Sequence, residues 1–272
     1  MAVEIEDYPI DYDDAYYLGY RVHDRLRVLS IAPSNGSQGR DFIGSVYRVD
    51  SAYDFRSTSL TNLNYSDLQS NDLLILNELS SIPGGLLQET VSFATNGGSV
   101  WVIPSADIDL SSYNQLLSQL KAVAYLPWKE EEVKVRSING ESPLYRDIFE
   151  SVPKNIDLPI AKAFYPISSS LRSSEESLLQ LTRGNSFLSA YRESGGSVYV
   201  QAVPLNSEKN NFSRHAIFVA TALRIAELSR STETYAVEIG SESSFSIPFF
   251  RTQNEHVFHL IQPASEQDII PA

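Results

Sequence analysis

Short apolar runs alternate with amphipathic segments over most of the first 230 residues. Three runs are rich in Val, Ile and Leu and apolar enough for burial on both faces, namely 26–32, 72–79 and 100–103. Central strands of a parallel sheet have this composition. Four further segments repeat apolar residues at helical spacing, namely 40–51, 85–95, 112–123 and 211–228. The alternation predicts an α/β fold in which helices cover both faces of a mostly parallel sheet.

The pattern changes at both ends of the chain and once in the middle. Residues 23–230 form the predicted α/β domain, and the less regular stretch at about 125–181 predicts an inserted, more antiparallel portion. Residues 1–22 are acidic and aromatic, which predicts a strand segment that is the tail of an upstream domain. Residues 231–272 alternate as short strands, which predicts a small β appendage at the C-terminus.

One phrase occurs twice in the chain. Gly97 and Gly195 each open a Gly-Gly-Ser-Val-aromatic-Val sequence, about a hundred residues apart. Two copies are too few for a repeat array. The recurrence is therefore interpreted as two βα units that obey the same packing rules.

Composition narrows the classes of partner. Hydrophobic residues make up 42% of the 272 residues and charged residues 20%, as in folded globular chains. The net charge of −13 repels phosphate backbones and anionic membranes, so no nucleic-acid partner is expected. The chain has no cysteine, which excludes disulfides, thiolate metal sites and a cysteine nucleophile. No apolar run approaches the roughly 20 residues that a membrane helix needs.

Four phrases together resemble a known family. They are D-Y-P-I-D-Y-D-D-A-Y-Y from Asp7, L-L-I-L-N-E-L-S-S-I-P-G-G-L from Leu73, N-G-G-S-V-W-V-I-P from Asn96 and N-F-S-R-H-A-I-F-V from Asn211. Their order resembles the glutamine-amidotransferase-like, flavodoxin-like α/β domain of BatA-like membrane-anchored proteins of Bacteroidetes. The resemblance implies a three-layer sandwich of the class I amidotransferase type. It also implies a longer chain with membrane helices and a von Willebrand-A-like domain, whose soluble part faces the periplasm.

The same resemblance identifies positions at which catalytic members carry a Cys, a His and a Glu. The phrase V-W-V-I-P places Pro104 at the position of the nucleophilic Cys. The phrase Q-A-V-P-L, from Gln201, places Val203 and Leu205 at the positions of the His and the Glu. Proline, valine and leucine can neither attack an acyl carbon nor transfer a proton. The resemblance therefore implies a domain without amidotransferase activity.

Polar residues at predicted strand ends define a candidate ligand crevice. Its members are Ser34, Asn35, Gly36, Arg40, Asn77, Glu78, Ser105 and Asp107. The loop around Gly36 has the position of a phosphate-binding turn but matches no nucleotide-binding motif. Ser105 and Asp107 could be drawn as parts of a hydrolase, although Ser105 lacks the G-x-S-x-G context, and helix capping is the simpler interpretation. No cofactor and no metal ion are expected.

Three functions are compatible with these patterns. The first is a non-catalytic scaffold or interaction module, whose partners are proteins or neighbouring domains of the same chain and which reaches a membrane only through other segments. The second is a module that binds a sugar or nucleotide in the crevice, with Trp101 or Trp128 as an aromatic platform. The third is a hydrolase based on Ser105. His215 is predicted to pack or cap a helix rather than to act as a base.

Overall fold

The computed structural model describes most of the chain between Arg25 and Arg230 and short strands at both ends. The described residues are 2–4, 15–17, 19–20, 25–33, 41–149, 157–168, 175–192, 196–205, 208–230, 234–235, 260–262 and 267–269. The chain divides into two compact units. The smaller unit comprises Met1–Arg21 and Glu233–Ala272, and the larger one comprises Val22–Thr232.

The described elements alternate as the apolar pattern predicts. The strands are β1 (Ala2–Glu4), β2 (Ala15–Tyr17), β3 (Gly19–Tyr20), β4 (Leu26–Ala32), β5 (Tyr53–Ser59), β6 (Leu73–Leu79), β7 (Ser99–Pro104), β8 (Val133–Ile138), β9 (Ile160–Ala161), β10 (Glu175–Leu181), β11 (Ser186–Arg192), β12 (Ser197–Gln201), β13 (Thr234–Tyr235), β14 (Leu260–Gln262) and β15 (Gln267–Ile269). The helices are α1 (Phe42–Tyr47), α2 (Gly84–Thr95), α3 (Leu110–Gln119) and α4 (Ala216–Leu228), with 3-10 turns at Tyr65–Ser70 and Phe212–Arg214.

The described strands of the larger unit form one mixed sheet of nine strands. Their order is β5-β4-β6-β7-β12-β11-β10-β8-β9. The five strands from β5 to β12 pair in parallel, and the pairings from β12 to β9 are antiparallel. The predicted α/β class is confirmed, but the sheet is parallel over only half its width. Short connections such as the one between β10 and β11 produce antiparallel pairs, because a parallel pair needs a long crossover.

The irregular stretch at about 125–181 belongs to this sheet. It supplies β8, β9 and β10, which form the antiparallel edge. In β8 the side chains of Val133 and Val135 are buried while their neighbours Lys134 and Arg136 are exposed. Such alternation is typical of antiparallel strands with one solvated face, and it explains why this stretch lacks the continuous apolar runs of the parallel half.

The two Gly-Gly-Ser-Val phrases lie side by side at the centre of the sheet. Strands β7 and β12 pair in parallel, with Val198 opposite Val100 and Tyr199 opposite Trp101. At the start of this pair the backbones come so close that a Cβ on Gly196 would overlap the carbonyl oxygen of Gly98. The repeated glycine therefore allows the close approach of two neighbouring strands.

Polar side chains cap three of the helices. Asp41 Oδ1 accepts from the Gly44 amide of α1 at 2.8 Å, and Asp109 Oδ1 accepts from Ser111 of α3 at 3.1 Å. The predicted capping role of His215 is confirmed, since its Nδ1 accepts from the Ile217 amide of α4 at 3.2 Å. Among the described helices, none is long and apolar enough to cross a membrane.

The described residues of the smaller unit form three pairs of short antiparallel strands. β1 pairs with β2, and β14 pairs with β15. The pair of β3 and β13 sets Tyr20 opposite Thr234 and Gly19 opposite Tyr235. The segment interpreted as an upstream tail and the segment interpreted as a C-terminal appendage therefore share a strand pair.

Candidate functional site

Open α/β sheets bind ligands at the carboxyl ends of their parallel strands, so a functional site is expected there. Strands β6, β7 and β12 are neighbours and end close to the positions Pro104, Val203 and Leu205. Pro104 is the last residue of β7, and its Cα is paired with that of Leu79 in β6. All three of these side chains are buried. The structure thus buries these three side chains at the carboxyl ends of the central strands.

Glu78 joins two of these strand ends. The backbone of Glu78 is in the left-handed region, with φ of 53°, and the pairing of β6 with β7 shifts register at this residue. Its Oε1 accepts a hydrogen bond from the Leu205 amide at 2.8 Å. A non-glycine residue in this conformation is uncommon and is held by its surroundings. The hydrogen bond gives the carboxylate a structural role, because it anchors the chain that follows β12.

A tyrosine hydroxyl binds the last residue of β6. Tyr113 of α3 donates to the carbonyl oxygen of Leu79 at 2.7 Å. Burial, with smaller contributions from Tyr165 and Glu78, raises the pKa of Tyr113 well above its ordinary value. Tyr113 is therefore neutral and acts as a hydrogen-bond donor to the backbone.

Ser105 closes a local turn after β7. Its Oγ donates to the Asp107 carbonyl oxygen at 2.7 Å and accepts from the Asp107 amide at 3.3 Å. Tyr165 holds the same loop, since its hydroxyl donates to Ala106 O at 3.1 Å and accepts from the Ile108 amide at 3.3 Å. The cap of α3 is Asp109 rather than Ser105 or Asp107. The Ser105 proton is thus directed to a main-chain oxygen and not to a general base.

The rest of the predicted crevice is described only in part. Ser34, Asn35, Gly36 and Arg40 lie outside the described residues. Asn77 is half-buried beside Glu78, and its Oδ1 accepts no hydrogen bond from any residue that the structure describes. Within the same described ranges, no group of three or more His, Asp or Glu could hold a metal ion.

Neither tryptophan offers an open platform for a ligand. Trp101 is fully buried in β7, and the centroid of its ring lies 6.4 Å from that of Phe218 in α4. Trp128 is half-buried, and its ring centroid lies 4.7 Å from that of Tyr165. After Lys209, Trp128 also helps to lower the pKa of the Glu130 carboxyl. Both rings therefore have packing partners within the protein.

An open apolar groove, with a volume of about 340 Å³, lies between α1 and α4. We call it the α1/α4 groove. It is lined by Phe42, Ser45, Val46, Val49, Asp50, Ser213, Phe218, Val219 and Leu223. The helices are fixed to each other by the Tyr47 hydroxyl, which donates to Ala222 O at 2.6 Å, and by an edge-on contact of Phe42 with Phe218. The sequence interpretation missed this surface, because Val46 and Val49 fit the buried stripe of a helix as well as an exposed one.

Comparisons with known proteins identify structures with a similar fold but no family to which the chain can be assigned. No family model matches the chain, and none of the curated proteins matches it. A cytoplasmic protein from Salmonella typhimurium LT2 is similar in structure, with a TM-score of 0.59 at 12% identity, over 76% of this chain and 100% of its own. A ThuA-like protein from Bacteroides uniformis has a TM-score of 0.55 at 12% identity, over 82% of this chain and 95% of its own. A cold-adapted β-galactosidase from Rahnella has a TM-score of 0.50 at 16% identity, over 77% of this chain and 32% of its own.

These findings correct the resemblance to BatA-like proteins. The matching structures include cytoplasmic and ThuA-like proteins, and the absence of any family match leaves the BatA-like assignment without support. One of its four phrases, that from Asn96, follows a general packing rule, since the same Gly-Gly-Ser-Val pattern occurs in the paired strand β12. Membrane anchoring and a periplasmic position were implied by that resemblance alone, and no other observation supports them.

Proposed function

We propose that the larger unit is a non-catalytic amidotransferase-like domain that acts as an interaction module. The observation that carries the proposal is the hydrogen bond from the Leu205 amide to Glu78. It commits the carboxylate at the strand ends to the backbone, next to Pro104 and Val203, which are buried and have no acid-base chemistry. A catalytic site at these strand ends would instead need a nucleophile and a base within hydrogen-bond reach of each other.

The finer assignment of the fold is part of the same proposal. The order β5-β4-β6-β7-β12 of the parallel strands is of the flavodoxin type, and the similarity to a ThuA-like protein supports a class I amidotransferase-like, three-layer arrangement. The match to the β-galactosidase covers only 32% of the β-galactosidase chain, so the similar fold is one part of a larger protein there. A domain with this fold inside a larger protein is consistent with a role in contacts between domains or proteins.

A module that binds a sugar or nucleotide is the second candidate, and Asn77 is the observation that favours it. Its Oδ1 lacks a described partner at the strand ends, where ligands of open α/β sheets bind. Buried polar atoms are usually hydrogen-bonded, and because this atom is buried a ligand would donate to it only after the strand ends open. A rise in melting temperature with a sugar or nucleotide, lost in Asn77→Leu, would favour this candidate over the first.

The proposal predicts that a serine-reactive fluorophosphonate probe does not label the folded protein. The Ser105 hydroxyl donates to a main-chain oxygen, so no base activates it. Labelling is measured by mass spectrometry on the intact chain, and a known serine hydrolase in the same reaction provides the positive control. Ser105→Ala is the matched variant. Labelling of the unaltered protein that this substitution abolishes would replace the interaction module with a hydrolase.

A further inference from the structure

Strand β5 forms one edge of the nine-stranded sheet. Among the strands that the structure describes, it pairs with β4 alone, and the opposite edge is the two-residue strand β9. β5 has seven residues and no proline. The backbone amides and carbonyl groups on its outer side therefore form a row to which another strand can be added.

The two faces of β5 carry different side chains. Phe55 lies on the face covered by α1, since the centroid of its ring is 5.8 Å from that of Tyr47. Asp54 and Arg56 alternate with Phe55 and therefore lie on the other face. On that face the Arg56 guanidinium donates to Asn71 Oδ1 at 3.3 Å. The edge strand thus presents an aromatic ring on one face, and an acid and a base on the other.

A row of alternating charges crosses the sheet and ends at Asp54. Arg27 of β4 is in register with Asp54. The Nε atom of Arg27 lies 3.6 Å from Asp72 Oδ2, and Nη2 of Arg230 lies 2.8 Å from the same oxygen. Opposite charges on neighbouring strands attract each other, and like charges repel. A cation on the outer side of Asp54 would therefore continue the alternation.

The sequence Asp54-Phe55-Arg56 is complementary to itself when two copies of β5 run antiparallel. In a pair centred on Phe55, the two Phe55 residues are opposite each other, and each Asp54 is opposite Arg56 of the partner subunit. A two-fold axis normal to the sheet keeps both charge pairs on the same face. The second copy thus supplies the cation that continues the charge row.

We propose that two copies of this chain associate through their β5 edges, antiparallel and centred on Phe55, so that their sheets become one continuous sheet. The inference goes beyond the proposed function, because it depends neither on Glu78 nor on a ligand at the strand ends. The net charge of −13 on each copy opposes association. One strand pair also buries little surface, so we expect a weak dimer with a Kd of about 10 µM.

The inference is tested by sedimentation velocity of the full-length protein at concentrations from about 1 to 200 µM. Arg56→Asp gives an edge with two acids, and Asp54→Arg gives an edge with two bases. Each variant alone is expected to dimerise at least about tenfold more weakly, because both cross-strand pairs become repulsive. An equimolar mixture of the two variants should regain a dimer, since the acidic edge of one then faces the basic edge of the other.

Arg136→Asp is the matched control, because it makes the same charge change at an exposed position of β8, in the antiparallel half of the sheet. It should leave the dimer unchanged, and circular dichroism should show that all variants are folded. The exchange Asp54→Arg/Arg56→Asp restores both pairs within one chain and should dimerise by itself, which keeps the test valid if a single variant is unstable.

Three results would overturn the inference: an unaltered protein that stays monomeric over the whole concentration range, a dimer that neither single substitution weakens, or two weakened variants whose mixture regains no dimer. Probe labelling of Ser105 in a protein that dimerises as expected would instead remove only the non-catalytic proposal.

Discussion

Trp101→Ala is expected to lower the free energy of unfolding of the larger unit by about 4 kcal/mol. The indole is fully buried in β7 at the centre of the sheet, where it contacts Phe218 of α4. Its removal deletes a large apolar contact surface and leaves a cavity that the neighbouring strands cannot close. Urea unfolding followed by far-ultraviolet circular dichroism measures the loss.

Trp101→Phe separates packing from polarity at the same position. The Nε1 atom of Trp101 has no hydrogen-bond partner among the described residues, so its loss removes no bond that the structure shows. Phenylalanine keeps most of the ring volume, and we expect a loss of only about 1 kcal/mol. If Trp101→Ala instead changed stability by less than Trp101→Phe, the tryptophan would not be a core residue.

Gly196→Ala is expected to cost about 3 kcal/mol of unfolding free energy. Its added Cβ would overlap the carbonyl group of Gly98 and approach that of Gly97, both of which are backbone atoms. Backbone cannot rotate away as a flexible side chain can, so β7 and β12 would have to separate. The same urea titration measures this effect.

Gly84→Ala is the matched control for the glycine substitution. Gly84 is the first residue of α2, and a Cβ built there meets no atom within 4 Å. The variant should be slightly more stable, by about 0.5 kcal/mol, because alanine restricts the unfolded chain. Equal effects of Gly84→Ala and Gly196→Ala would contradict the close approach of the two central strands.

The central strands of the parallel half could be predicted because they are buried on both faces, whereas the edge strand β5 has no buried residue. Strands β4, β6 and β7 contain continuous apolar runs, and Asn96 and the following glycines mark the end of α2. Most of the antiparallel half was predicted as an inserted, more antiparallel portion, without the order of its strands. Its strands are short or only partly apolar, and their positions depend on partners distant in sequence.

The candidate site depended on features that have no local sequence signal. Glu78 takes a left-handed conformation without being Gly or Asn, the residues that favour it. Its partner Leu205 lies 127 positions further along the chain. The exposure of Val49 and Val219 is likewise a consequence of how α1 and α4 pack, since each residue belongs to an apolar stretch that also supplies buried side chains.

The central claim is that the Glu78 carboxylate stabilises the fold and does not take part in catalysis. Residues kept for catalysis are commonly replaced without loss of stability, and often with a gain. A structural carboxylate that accepts a backbone hydrogen bond contributes about 2 kcal/mol. The Gln side chain keeps an acceptor oxygen, so Glu78→Gln provides the conservative comparison.

The unfolding free energy of Glu78→Ala, measured in urea beside that of Glu78→Gln, is therefore the most direct test. We predict a loss of about 2 kcal/mol for alanine and of less than about 1 kcal/mol for glutamine, because only alanine leaves the Leu205 amide without its acceptor. An unchanged or increased stability of Glu78→Ala would contradict the structural role and leave Glu78 as a candidate ligand-binding residue of the crevice.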